Sequence, residues 1–290
     1  MSTFVVTGAT GHIGSVVARE LLAAGHKVRA VVRDAEKAKA LATQGAQLLL
    51  GELSDASFLT GALRDADGAF LLQPPPPFDT PDARGFQDRV THAEAAAVAE
   101  SGIRHLVMLS SWGAEREAGT GPIVGLHGLE EALKKTRAVT TILRAGSFTE
   151  NLLHMLPAAQ HQSVLPSYFA LDRKLANIAT RDIAAIAVRA LLSPPAATEV
   201  VYVVGAHEYS AIDQAAYLSR KLGKEVKPIN VPVSGVSQSM QQHGMSASLA
   251  DLFQEMYEGL TKGLFGVEPG HRVEKGATTL DHALDPYLAK

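Results

Sequence analysis

The sequence contains no cysteine. Disulfides, thiolate nucleophiles and cysteine-based zinc sites are excluded together, while the compartment is left undecided. It also lacks an excess of either charge. Lys and Arg number 27 against 30 Asp and Glu, with no long block of one sign, so the basic footprint of a nucleic-acid binder is missing. No apolar run approaches the roughly 20 residues of a membrane span. Met1-Ser2-Thr3 leads straight into an apolar strand without a basic flank or cleavage site, so no signal peptide is expected. The default is a soluble, cytoplasmic chain with no nucleic-acid or membrane partner. The eleven histidines are scattered, with no His-Glu-x-x-His and no i, i+4 pair, so no metal site is expected. A Gly-x-Ser-x-Gly elbow is also missing, which argues against a hydrolase.

What is present is a chain of 290 residues, 46% of them hydrophobic, enough to bury a large core. Short aliphatic runs alternate with helix-like segments. Phe4 to Val6, Val28 to Val32, Gln47 to Leu50, Gly68 to Leu72, His105 to Leu109 and Val139 to Leu143 read as strands. Between them lie the helical stretches Ile13 to Ala24, Ala35 to Thr43, Ser54 to Leu63, Asp82 to Ser101 and Leu126 to Lys135. This alternation predicts an α/β fold with a doubly wound parallel sheet, and the uninterrupted Val/Leu/Ile strands fit a sheet covered on both faces. After Asn151 the rhythm changes. Residues 1–150 are read as the sheet domain, and residues 151–290 as a smaller α+β lobe that can return Val200 to Val204 to the main sheet. Helical segments around Ala247 to Leu264 and a polar tail close the chain. No internal repeat is visible, and the only low-complexity element, Pro74 to Pro77, reads as a stiff extended loop after the fourth strand.

The stretch "FVVTGATGHIG" places Gly8, Gly11 and Gly14 between the first strand and first helix. Such a turn lets the backbone approach a pyrophosphate, whose charge is stabilised by the free N–H groups and positive dipole of the helix start. Gly8 makes the turn, Gly11 admits the phosphates, and Gly14 lets the helix lie close to the strand; Thr10, His12 and Ile13 lend backbone or hydroxyl donors. The spacing is GxxGxxG, not the usual GxGxxG, and its weight comes from the strand-to-helix context. About 20 residues on, "VRAVVRD" ends the second strand. Arg33 there would pair with the 2′-phosphate of NADP, whereas Asp34 would either read the ribose of NAD or cap the next helix. NADP is the expected cofactor, with NAD the alternative.

"TGATGHIG", "VVRD", "GELSD", "SSWGA", "TILRAGSFTENLL" and "RDIAAIAVRALLSPP...VYVVG" together resemble the NmrA-like group of atypical short-chain dehydrogenases/reductases, with a Rossmann sheet, from about Phe4 to Val231. The resemblance implies that Glu52 reads the adenine, where the family has Asp, and that Leu53 flanks it. It implies further that Leu72, Gln73 and Pro74 run along the ribose and nicotinamide, with Ser110 below and Phe148 and Asn151 beyond. Ala145 stands where the family usually has proline. Ser110-Ser111 can equally end a strand and cap the next segment, and Phe148 can equally be core. Trp112, the only tryptophan, is either a substrate-pocket wall or packing.

The usual Tyr-x-x-x-Lys pair of short-chain dehydrogenases is missing after the fifth strand, since no tyrosine lies between Ser111 and Leu143. Tyr217 and Lys221 have the spacing but fall in the second lobe, and the match is read as coincidence. His127 on "GLHGLEEALKK" occupies the approximate place where similar reductases put a histidine or lysine, and imidazole can donate a proton near neutral pH. A lining role is the alternative. For a quinone, azo or conjugated cationic acceptor, hydride transfer needs mainly alignment, because solvent can supply the proton. Two readings result: an NADPH-dependent reductase of an apolar conjugated small molecule, or an NADP-sensing regulator whose binding state changes its association with a protein partner.

Overall fold

A computed structural model describes residues 1–288. The first half is a regular strand-helix series: β1 (Thr3–Val6), α1 (Gly14–Ala23), β2 (Lys27–Val32), α2 (Lys39–Thr43), β3 (Gln47–Leu50), α3 (Ala56–Leu63), β4 (Gly68–Leu72), α4 (Ala83–Ser101), β5 (His105–Ser111), α5 (Val124–Lys134) and β6 (Val139–Ala145). The rest comprises β7 (Ser147–Phe148), α6 (Leu156–Gln162), β8 (Val164–Ser167), β9 (Leu175–Ile178), α7 (Thr180–Leu192), β10 (Glu199–Val204), β11 (Glu208–Tyr209), α8 (Ala211–Leu222), β12 (Lys227–Asn230), α9 (Val236–Gln242), α10 (Ala247–Thr261), β13 (Arg272–Lys275) and α11 (Leu280–Leu288).

Eight strands form one parallel sheet in the order β13-β10-β6-β5-β4-β1-β2-β3. The aliphatic runs are uninterrupted because alternate residues serve opposite faces. Phe4, Val6, Phe70, Val107 and Leu143 face α1 and α7, meeting Val17, Leu21, Ile183 and Ala187. Val5, Leu71, Leu106 and Met108 face α3, α4 and α5, meeting Leu59, Leu63, Val98, Leu129 and Leu133. Each such aliphatic side chain contributes about 1.5–3 kcal/mol on burial. Order reverses between β1 and β4, because the chain winds one way from β1 through β2 to β3 and the other way from β4 outward. The crevice outside the carboxyl ends of these two strands is where doubly wound sheets bind ligands.

Two strands beyond residue 151, β10 and β13, join this sheet. The others join β7, which precedes residue 151, in a three-stranded sheet (β11-β9-β7) and make a two-stranded sheet (β12-β8), set against a separate apolar core of Leu152, Leu165, Tyr217, Leu218 and Leu284. α9 and α10 lie over the start of α4 through Met245, Leu249, Ala250 and Ala83.

Two sequence expectations change. The helix expected from Ala35 begins only at Lys39, because the Asp34 carboxylate accepts the N–H groups of Glu36 (2.9 Å) and Lys37 (3.4 Å) and holds a turn there instead. The polar tail contains an edge strand and a terminal helix. β13 reads "RVEK", with Arg272 bonded to Glu199 and Glu274 to Arg189. An edge strand has one strand partner and tolerates charge, so it carries no hydrophobic signature.

Candidate functional site

The glycine loop lies at the β1/β4 reversal, and its geometry follows from small residues meeting backbone. Thr7 joins the two strand ends: its N–H and hydroxyl both donate to the Phe70 carbonyl (3.0 and 3.1 Å), and its oxygen accepts the Leu72 N–H (3.1 Å). Gly8 then turns with φ +58°, a left-handed conformation that favours glycine. A Cβ on Gly14 would overlap the Gly8 carbonyl oxygen and sit 2.9 Å from that of Thr7, so the first turn of α1 rests directly on the loop. Gly11, by contrast, is exposed, and a Cβ there would meet only the Gly8 oxygen at 3.3 Å.

No side chain caps α1, and its first turn carries no acid. The backbone N–H groups of His12 and Ile13 have no acceptor among the described residues. Uncapped donors, a positive helix end and an open glycine face fit a diphosphate. Thr10 and His12 are exposed beside it, and Ile13 is buried.

The adenosine candidates stand at the carboxyl ends of the next two strands. Arg33 is exposed just past β2, while Asp34 is committed to its turn. Glu52 and Leu53 follow β3. Glu52 is exposed, and Leu53 is half-buried against the α3/α4 core.

On the other side of the reversal, two side chains turn away from the cleft. Gln73 Nε2 donates to Thr91 Oγ1 (2.9 Å), the Gln87 carbonyl (3.2 Å) and the Gly125 carbonyl (3.4 Å), tying the end of β4 to α4 and α5. Its amide nitrogen is therefore occupied, and its backbone borders the cleft with Leu72, which lies against Gly8, and Pro74. Ser110 is buried and its hydroxyl donates to Glu130 Oε1 at 2.5 Å. Its hydroxyl, expected beneath a nicotinamide, faces α5 instead.

Ser110 belongs to a buried polar row that the sequence reading missed. Ser110, Arg144 and Tyr202 occupy matched register positions on β5, β6 and β10, so they share one face of the sheet. Arg144 grips both oxygens of Glu130 through Nε (3.1 Å) and a terminal nitrogen (2.8 Å). Its other terminal nitrogen reaches Tyr202 Oη (2.9 Å) and Glu268 (2.7 Å). Burial opposes the arginine charge, but the bond and attraction from Glu130 outweigh it and raise the Arg144 pKa above its ordinary value. Burial likewise pushes Tyr202 up, against the pull of Arg144. For Glu268 burial acts upward, yet Arg144 and Tyr202 hold its carboxyl below the usual range. The sequence carried one signal for this row: a charge in the apolar strand "TILRA".

His127 lies one helical turn before Glu130. A helix after a parallel strand starts at the carboxyl edge of the sheet, so His127 is nearer that edge than the Ser110–Glu130 contact by about 4.5 Å of helix rise. Its Nδ1 is 2.9 Å from the Ala114 carbonyl. A carbonyl only accepts, so Nδ1 carries hydrogen and Nε2 is the nitrogen left to exchange a proton. Trp112 stands edge-on to Tyr202, centroids 6.2 Å apart, with its indole N–H buried and unpartnered among the described residues. Phe148 is half-buried against the α1/α7 core, and Asn151 is exposed in the turn after it. Tyr217 and Lys221 are engaged by Asp285 in the smaller lobe.

Among the described residues no group of three or more His, Asp or Glu could hold a metal ion, and no helix is long and apolar enough to cross a membrane.

The sequence model of the NmrA-like family matches residues 1–281. The chain belongs to the NmrA-like family. The match extends past Val231 and takes in β13 and the start of α11. Among its relatives, the NAD(P)H azoreductase of Xenophilus azovorans is 32% identical over 254 residues, 87% of this chain and 85% of that one. The (4-alkanoyl-5-oxo-2,5-dihydrofuran-3-yl)methyl phosphate reductase of Streptomyces griseus is 33% identical over 224 residues, covering 77% and 75%. The crystal structure of the NADPH-dependent quinone oxidoreductase QOR2 of Escherichia coli, complexed with NADPH, superposes with a TM-score of 0.79. It is 26% identical, covering 98% of this chain and 99% of that one.

Proposed function

We propose that this protein is an NAD(P)H-dependent oxidoreductase that delivers hydride from NADPH to a quinone-like or other apolar conjugated acceptor. The observation that carries the reading is the open glycine cradle against the uncapped start of α1, at the β1/β4 reversal. Its setting supports it: an NmrA-like chain with an NAD(P)H azoreductase as a 32%-identical relative. When bound, the dinucleotide supplies a hydride from its nicotinamide.

The chain's own residues do the rest. The Gly8–Gly14 loop, with the N–H groups of His12 and Ile13, holds the diphosphate. Arg33, left free by the turn that occupies Asp34, pairs with the 2′-phosphate, which makes NADP the preferred cofactor. Leu53 flanks the adenine, with Glu52 at its edge, and Leu72 and Pro74 border the ribose and nicotinamide. His127, as the imidazolium, gives its Nε2 proton to the reduced acceptor and takes one back from solvent, its ring held through Nδ1–H by the Ala114 carbonyl. Ser110 fixes α5 through Glu130 and so positions His127. Without a Tyr-x-x-x-Lys pair, the chain suits acceptors whose reduction depends on alignment. Phe148 stands beyond the nicotinamide on the cofactor side, and residues 151–290, with Asn151 and Trp112, are assigned to the acceptor. The test is NADPH consumption with quinones, azo dyes and enones. Turnover with at least one class is expected, and none with any class would refute the reading.

A further inference from the structure

The terminal helix α11 spans from the smaller lobe to the glycine loop. Leu280, Ala283 and Leu284 bury its inner face in the smaller core. Asp285 is held by Tyr217 Oη (3.1 Å) and Lys221 Nζ (2.8 Å), and the Leu280 N–H donates to Tyr209 Oη (3.1 Å). From this anchored base Tyr287 reaches His12: its hydroxyl lies 3.4 Å from Nδ1, and the rings meet edge to face, centroids 6.0 Å apart at 75°. The same helix lies on the turn Thr149–Met155, which carries Asn151.

His12 supplies one of the N–H groups without an acceptor among the described residues, in a loop whose glycines make it intrinsically loose. A contact that fixes its side chain also fixes the direction of that N–H before any ligand arrives, and preorganisation lowers the ordering cost of binding. We propose that α11 is a strap over the diphosphate side of the cofactor cleft, with Tyr287 a positioning residue that acts through His12. This rests on reading the glycine loop as the diphosphate cradle. Loss of Tyr287 loosens the cradle without touching the hydride path, so it changes cofactor affinity and leaves acceptor KM unchanged.

The experiment titrates NADPH by fluorescence into the full chain, Tyr287→Ala, Tyr287→Phe, His12→Ala and the His12→Ala/Tyr287→Ala double variant, and records Tm of each without ligand. Tyr287→Ala should weaken NADPH about five- to tenfold and Tyr287→Phe, which keeps the ring, about twofold. In the His12→Ala background, removing Tyr287 should cost almost nothing further. Unchanged affinity in Tyr287→Ala, with or without a fall in Tm, would overturn the strap while wild-type binding left the cradle standing. Fully additive losses would overturn action through His12. A wild-type chain that takes up no NADPH would overturn cradle and strap together.

Discussion

Glu130→Gln removes the carboxylate that receives two bonds from Arg144 and one from Ser110, leaving a guanidinium buried on β6. Breaking one side of a buried ion pair costs about 3–5 kcal/mol, because the remaining charge stays desolvated. Here Glu268, 2.7 Å from the same guanidinium and partly open to solvent, retains part of the compensation. The lower end, about 3 kcal/mol, is therefore expected. At about 2.1 cal/mol/K per residue, a chain of this size loses about 0.6 kcal/mol per degree near its midpoint, so the fall in Tm should be about 5 °C. Arg144→Met alone should also destabilise, by leaving Glu130 buried without its main partner. The Glu130→Gln/Arg144→Met pair removes both charges and should recover most of the loss. The assay is urea denaturation of the four proteins, read as a double-mutant cycle. Additive losses, with no recovery in the double variant, would refute the claim that desolvated partners hold this row together.

Glu94 is fully buried with neither carboxylate oxygen bonded among the described residues, and burial raises its pKa well above the ordinary 4.5. A carboxyl raised in the folded state contributes stability fully below its unfolded pKa and loses it as pH rises through the folded value. Glu94→Gln should thus be the more stable protein at alkaline pH and lose that advantage near pH 4.5; equal Tm profiles would refute the assignment. Arg33→Ala should weaken NADPH roughly tenfold or more and leave NADH nearly unchanged, and equal losses in parallel titrations would show that Arg33 does not read the 2′-phosphate. Gly14→Ala places a Cβ 2.7 Å from the Gly8 carbonyl carbon, which pushes α1 off the loop. It should cost about 1–3 kcal/mol by overpacking and most NADPH affinity, and a variant that binds like wild type would contradict the cradle geometry. His127→Ala should lower kcat at least tenfold while NADPH affinity is kept, and an unchanged rate would remove the proton-donor role.

The sheet was legible because parallel strands buried on both faces read as plain aliphatic runs, and the cradle because three glycines sit where strand meets helix. Other features had no local signature. β13 is a charged edge strand, and Asp34 looks the same in sequence whether it caps a helix or a turn. Gln73 and Ser110 stand on strand ends bordering the cleft, but their partners lie 14 to 52 residues away, so the inward turn of their side chains could not be read. The Tyr287–His12 contact spans 275 residues. Arg144 differs: a charge inside "TILRA" demands a buried partner, and Glu130 on the adjoining helix answers that demand.

Titration of NADPH into the unmodified protein by calorimetry tests the central claim most directly. One molecule of NADPH per chain should bind, and ADP should compete with it for the glycine loop. Absence of heat and of competition with the folded protein would contradict the assignment of that loop.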